Sequence, residues 1–166
     1  GLKTFTDYYK KKKIIPIYMV KITYKGETRK IPKRYIPDTL SKADRQKQIK
    51  SIFEKTNRPK VDIKKRKSKW TLSFDKEYGK EIDKLKGGRS KRNIAKVSGI
   101  PFKAIDEVYK KAEGAFYSSG SRPNQSATSW AFGRTYAYIM GGKAVRKLDD
   151  HITKKYSVKF KIKTKS

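Results

Sequence analysis

The sequence predicts a small α+β fold: a mainly helical core, with a short β-hairpin near the N-terminus, a C-terminal strand and basic arms. Three observations carry this. Apolar residues recur at helical spacing through Ile94–Gly142, the densest such run in the chain. The β-branched and aromatic run IIPIYMVKITY, residues 14–24, is followed by the turn pair Lys25-Gly26. The last residues alternate, with Tyr156, Val158, Phe160 and Ile162 on one side and lysines on the other.

In chain order, residues 1–13 read as a basic N-terminal arm ending in Lys10, Lys11, Lys12 and Lys13. Residues 14–72 read as hairpin, helix and basic linker. The hairpin pairs residues 14–24 with Glu27–Tyr35, and Pro32 marks an edge or an exit. Either Asp38 or Ser41 caps the following helix, and SKAD from Ser41 resembles a capping box. Ile49, Ile52 and Phe53 form its apolar stripe, with Lys/Arg/Gln opposite, and Asn57-Arg58-Pro59 ends it. Residues 60–70 are a linker, either a solvated connector or a polyanion-binding strap anchored by Trp70.

Residues 73–152 form the predicted helical core. A short helix over 75–86 presents Tyr78, Ile82 and Leu85 and stops at Gly87-Gly88. A helix pair follows, over 90–97 and from Pro101 to about Ala112, with Gly114 as its stop. Residues 117–126 are a loop, and Ser126 caps a central helix over 127–140 that is apolar nearly all round. Gly133 leaves room there for a second helix, and Gly141-Gly142 end it. The predicted core residues are Ile94, Ala95, Ile105, Val108, Trp130, Phe132, Tyr136 and Ile139. Residues 153–166 are the basic C-terminal strand or tail.

Charge narrows the partners. Forty-five Lys+Arg against 15 Asp+Glu give a formal charge of +30, a self-repulsion that an anionic partner would relieve. Nucleic acid, an anionic membrane surface and an acidic protein lattice all qualify. The predicted polyanion or partner contacts are Lys10–Lys13, Lys64, Lys65, Arg66, Lys67, Lys69, Arg122, Lys159, Lys161 and Lys163. No base-reading pattern accompanies them.

With no cysteine and one histidine, disulfides, thiolate sites and histidine-rich metal sites are excluded, and no metal or cofactor is expected. No apolar run has the roughly 18 residues of a membrane span, and no signal peptide is read. Asp149, Asp150 and His151 lack a nucleophile or second base nearby, so a surface histidine is the favoured reading and no catalytic residue is assigned. Trp130 and Arg134, one helical turn apart, suggest a cation–π pair, with core packing of Trp130 favoured. Ile94 to Val108 has helix-turn-helix spacing, but Ser98 stands where an apolar residue is usual and Asp106 and Glu107 would face DNA. A packed helix corner is favoured. Ser118, Ser119, Gly120, Ser121 and Arg122 form a candidate anion loop, with a plain structural connector as the equal alternative.

GIPFKAIDEVYKKAEGAFYSSGSRP and SWAFGRTYAYIMGGKA resemble a domain of unknown function widespread in large DNA viruses of algae, other giant viruses and marine tailed phages. YIPDTLSKADRQKQIKSIFEKTNRPKVD with KRKSKW is similar to algal-virus members, so the resemblance covers roughly residues 35–151. It supplies no catalytic residues. It implies a viral protein, made in the host cell, and most simply a non-enzymatic component of the virion. The expected role is a minor capsid protein on the inner side of the capsid. Its expected partners are the major capsid protein and other minor capsid proteins, with viral DNA or an anionic internal membrane surface as further acidic neighbours, and no small-molecule substrate. The alternative is a sequence-independent, genome-condensing DNA-binding protein.

Overall fold

The computed structural model describes residues 19–64 and 67–165. It is an α+β fold, with seven α-helices and one two-stranded antiparallel sheet among the described residues. The residues fall into two compact units. One draws on residues 19–64 and Glu113–Trp130, and the other on residues 67–112 and 131–165.

In the first unit, β1 (Met19–Tyr24) and β2 (Glu27–Pro32) pair in the register Tyr24↔Glu27, Ile22↔Arg29 and Val20↔Ile31. Lys25 and Gly26 both take positive φ, 47° and 81°, as a two-residue hairpin turn twisted to match its strands requires. The predicted strand residues 14–18 lie outside the described residues. Pro32 closes the ladder because it has no N–H to give, and Lys33–Tyr35 turn into a single 3-10 turn. The return strand is therefore shorter than the predicted Glu27–Tyr35.

Helix α1 (Lys42–Phe53) is capped by Ser41, whose hydroxyl accepts the Asp44 N–H at 3.1 Å. It ends before the predicted Asn57. Ile49, Ile52 and Phe53 face inward with Ile22, Ile31, Tyr35 and Ile36. Gln48 joins them, fully buried, rather than lying on the polar face. Its amide donates to the carbonyls of Tyr35 and Ser121, at 3.0 and 2.8 Å.

The second unit begins with α2 (Lys69–Asp83), six residues earlier than the predicted residue 75. Ser68 supplies the reason: its hydroxyl accepts the Thr71 N–H and nucleates the first turn within the lysine-rich stretch. Trp70 thus belongs to a helix. Helix α3 (Lys91–Ser98) is capped by Ser90 and stopped by Gly99 at φ 74°. Ser98 is buried at the corner. Its hydroxyl accepts the Ile100 N–H and donates to the Ala95 carbonyl, work that an apolar residue could not do.

Helix α4 (Phe102–Ser119) runs past Gly114, correcting the predicted stop near Ala112. Ala112 and Phe116 stay fully buried one turn apart while Gly114 is exposed, so burial outweighs glycine's cost of roughly 1 kcal/mol in a helix. Its first eleven residues serve the second unit and the rest the first.

Helix α5 (Ala127–Met140) is buried at Ala131 and through 135–140, but not all round. A Cβ at Gly133 would meet nothing within 4 Å, so no helix packs there among the described residues, contrary to expectation. Helices α6 (Lys143–Leu148) and α7 (Asp150–Lys155) follow. The core of the second unit gathers Phe74, Ile82, Ile94, Ile105, Val108, Tyr138 and Ile139, with Phe74 stacked on Tyr136 at 4.3 Å between centroids.

The predicted C-terminal strand is not formed. Residues 157–165 carry no ladder: the chain turns at Ser157, at φ 49°, and bends at Lys161-Ile162. Their alternation is real, with Tyr156, Val158, Phe160 and Ile162 half-buried on the second core and Lys159, Lys161 and Lys163 exposed. Period two fixes which side faces in, but a ladder needs a neighbouring strand, and here helices take that place. Backbone hydrogen bonds hold both ends of the segment, from the Val158 N–H to the Thr153 carbonyl at 2.9 Å and from the Lys165 N–H to the Gly141 carbonyl at 2.8 Å.

Gly141 has φ 97°, and a Cβ there would lie 2.5 Å from the Lys163 carbonyl oxygen. Gly141→Ala is expected to cost about 2 kcal/mol from left-handed strain plus overpacking, read by chemical denaturation. A cost below about 0.5 kcal/mol would show that the 157–165 segment is not held against this turn.

Candidate functional site

The residues assigned to polyanion binding do not converge on one patch. Lys10–Lys13, Lys65 and Arg66 lie outside the described residues. Lys64 is exposed. Lys67 pairs with Asp75 at 3.4 Å, and Lys69 lies over the Trp70 ring at 4.7 Å. Lys159, Lys161 and Lys163 are all exposed, and Lys161 in addition lies along Gly99 and donates to the Val97 carbonyl at 3.2 Å.

The helix pair uses its acids internally. Asp106 pairs with Lys91 at 2.6 Å and Lys110 at 2.8 Å, and both hydrogen bonds hold its carboxyl below the usual range. Glu107 pairs with Lys155 at 2.7 Å and accepts from the Tyr156 hydroxyl. Asp149 turns inward to Arg134 and Lys111, at 2.8 and 2.9 Å, while His151 is exposed. Trp130 packs with Tyr35 and Phe116 in the first unit.

The candidate anion loop is partly helical. Ser118 and Ser119 are the last residues of α4, and Gly120 follows at φ 88°. A Cβ on Gly120 would come within 3.1 Å of Ile52 and 3.5 Å of Tyr35, so this turn seats directly on the first core. Ser121 is fully buried and Arg122 exposed.

Around this turn the structure assembles a group that sequence reasoning missed. Arg58, in the segment after α1, is buried. Its guanidinium donates to the Ser121 and Ser51 hydroxyls at 3.1 and 3.2 Å, and to the Thr56 and Phe116 carbonyls at 2.7 and 2.8 Å. It lies 4.8 Å from the centre of the Phe116 ring. Phe116 is in the last turn of α4, where carbonyls lack helical partners and the dipole is negative, so a cation is favoured there. Every acceptor is neutral. Burial pulls the Arg58 pKa down to about 10, which leaves it charged at neutral pH.

Arg34, Arg58 and Arg122 all bear on the Tyr35 phenol, opposing the upward push that burial gives it. Arg34 lies over the Tyr35 ring at 5.0 Å. Burial, then repulsion from Arg34, lowers the pKa of Arg122. Among the described residues, no carboxylate forms an ion pair with Arg58 or Arg122. Gln48 Oε1 and Trp130 Nε1, in the same unit, are buried without a hydrogen-bond partner among the described residues. Such local inconsistencies are expected where a fold serves a function. The signal available beforehand was Arg122 alone. Arg34 and Arg58 sit in a 3-10 turn and a post-helical segment with no motif to mark them.

Among the described residues, no group of three or more His, Asp or Glu side chains is arranged to hold a metal ion. No described helix is long and apolar enough to cross a membrane. No curated protein and no solved structure matches the chain. Residues 26–156 match a family of unknown function, DUF5824, a span that takes in β2, the arginine group and all seven helices. The chain belongs to that family.

Proposed function

We propose that the chain is a structural protein of a large DNA virus particle, a minor capsid protein on the inner face of the shell. It would bridge the acidic undersides of capsomers, with the major capsid protein and other minor capsid proteins as partners. The observation that carries this reading is the charge left after internal pairing. The carboxylates in ion pairs each face one or two of their own cations, while Lys64, Arg122, Lys159 and Lys163 are exposed and form no ion pair among the described residues. The resemblance to viral proteins supplies the setting. The test is mass spectrometry of gradient-purified particles with crosslinking: the chain is expected in stoichiometric amounts, crosslinked to capsid protein through its lysines. Its absence from purified particles overturns the reading.

The exposed lysine row favours a second reading, sequence-independent DNA binding. Lys159, Lys161 and Lys163 are exposed and alternate with the half-buried Phe160 and Ile162, so the three lysines stand on the side away from the second core. Under this reading, affinity for duplex DNA falls steeply with salt, and replacing Lys159, Lys161 and Lys163 by Gln lowers the log–log salt slope by about 2–3. An unchanged slope removes that row from the interface.

A further inference from the structure

Arg34 and Arg122 are 88 residues apart in the chain, yet each is one residue from a carbonyl held by the same buried amide. Gln48 grips Tyr35 and Ser121, so the two backbones that carry these arginines are locked together. Gly120 allows that closeness, since a side chain there would strike Ile52 and crowd Tyr35. Behind them Arg58 binds the Ser121 hydroxyl and brings a third positive charge whose hydrogen-bond acceptors are all neutral. Exposure grades outward, from buried Arg58 through half-buried Arg34 to exposed Arg122. A ligand approaching from solvent meets Arg122 first.

We infer that Arg34 and Arg122, backed by Arg58 and the Tyr35 hydroxyl, form a binding site for one terminal phosphate group, either inorganic phosphate or a phosphate monoester. The chemistry selects this class. A guanidinium offers a planar fork that matches two oxygens of an oxyanion. One fork suffices for a carboxylate, with its two oxygens. Two forks call for a group with three terminal oxygens and a charge near −2, as a terminal phosphate has. Such a dianion also offsets the repulsion between Arg34 and Arg122. The inference goes beyond the capsid reading and does not depend on it.

The test titrates the full chain at 0.15 M NaCl with inorganic phosphate, O-phosphoserine and acetate, following binding by calorimetry and arginine side-chain NMR signals. Phosphate or phosphoserine is expected to bind at one site at least 10-fold more tightly than acetate, and the tighter of the two identifies the source. Arg122→Gln and Arg34→Gln should each weaken binding at least 10-fold. Lys76→Gln, an exposed lysine of α2, makes the same charge change and should alter binding less than 2-fold. Circular dichroism melts confirm that the variants fold, and an Arg34→Gln that does not fold leaves Arg122→Gln to decide. Equal losses in Arg122→Gln and Lys76→Gln overturn the site, because they would show general charge attraction. So does acetate binding as tightly as phosphate, or no binding at 10 mM phosphate (on the order of a weak single-site affinity). The titration uses the isolated chain, so its failure leaves particle copurification unaffected.

Discussion

Asp149→Ala is expected to destabilise the second unit by about 3–5 kcal/mol, because it strands two cations around a closed interior position. The Asp149 side chain is wholly inaccessible. One oxygen accepts from Arg134 Nη2 at 2.8 Å and pairs with Lys111 Nζ at 2.9 Å, and the other faces Arg134 Nε at 3.4 Å. The Arg134 side chain is 10% exposed, so water cannot readily replace the carboxylate. Surface ion pairs of similar length contribute under about 1 kcal/mol, and burial separates the two cases. The residue also splices α6 to α7: its N–H reaches the Val145 carbonyl, and its own carbonyl accepts from Ile152 and Thr153. Alanine keeps that backbone role, so the loss isolates the charge. At about 2–4 °C per kcal/mol for a chain of this size, the melting temperature should fall by roughly 10 °C. Asp149→Asn keeps the shape and should recover only a minor part. A loss below about 1 kcal/mol for Asp149→Ala would mean the carboxylate is not buried between these cations.

Arg58→Met sets two effects against each other. Removing the guanidinium removes a buried charge that no carboxylate offsets. It also leaves the Thr56 and Phe116 carbonyls and the Ser51 and Ser121 hydroxyls without their donor. Hydrogen bonds to a charged group contribute about 1.5–3 kcal/mol each, and a buried acceptor left alone costs about 1–3. Four such losses outweigh the relief of a partly buried charge, already softened by the α4 C-terminus. The expected net cost is about 3–4 kcal/mol by chemical denaturation. Arg58→Lys keeps the charge but has no planar fork, and should recover less than half. Should Arg58→Met prove neutral or stabilising, the charge penalty dominates and Arg58 is retained for binding rather than for packing.

Arg146 repeats the device in the second unit. It is buried and donates to the Tyr138 and Ile139 carbonyls at the end of α5, at 2.8 Å each, and to the Ile162 carbonyl at 2.7 Å. Its guanidinium lies 3.6 Å from the centre of the Phe160 ring. Two helices thus end on a buried arginine that ties their last carbonyls to chain distant in sequence. A strongly basic chain can build an interior with few carboxylates in this way, because helix termini supply partial negative charge.

Features set by neighbours along the chain were readable: the Ser41 cap, the Lys25-Gly26 turn, the Gly99 stop, and the inward positions Ile94, Ile105, Val108 and Ile139. Each depends on sterics or hydrogen bonds within a few residues, and local spacing carries that information. Where packing competes with local preference, the reading failed. Gly114 carries a stop signal, but Phe116 buries one turn later and α4 continues.

By itself the sequence determined the α+β class, the periodicity of its segments and the excess of positive charge. The tertiary structure alone decided which charges meet. Arg34, Arg58 and Arg122 gather at Tyr35, Asp149 is buried between Lys111 and Arg134, and the alternating tail rests on helices instead of a strand. Long side chains reach across space, and a period of two or 3.6 specifies only which side faces inward. It does not specify what stands opposite. That depends on closing loops of tens of residues, and only the folded chain as a whole settles which closures occur.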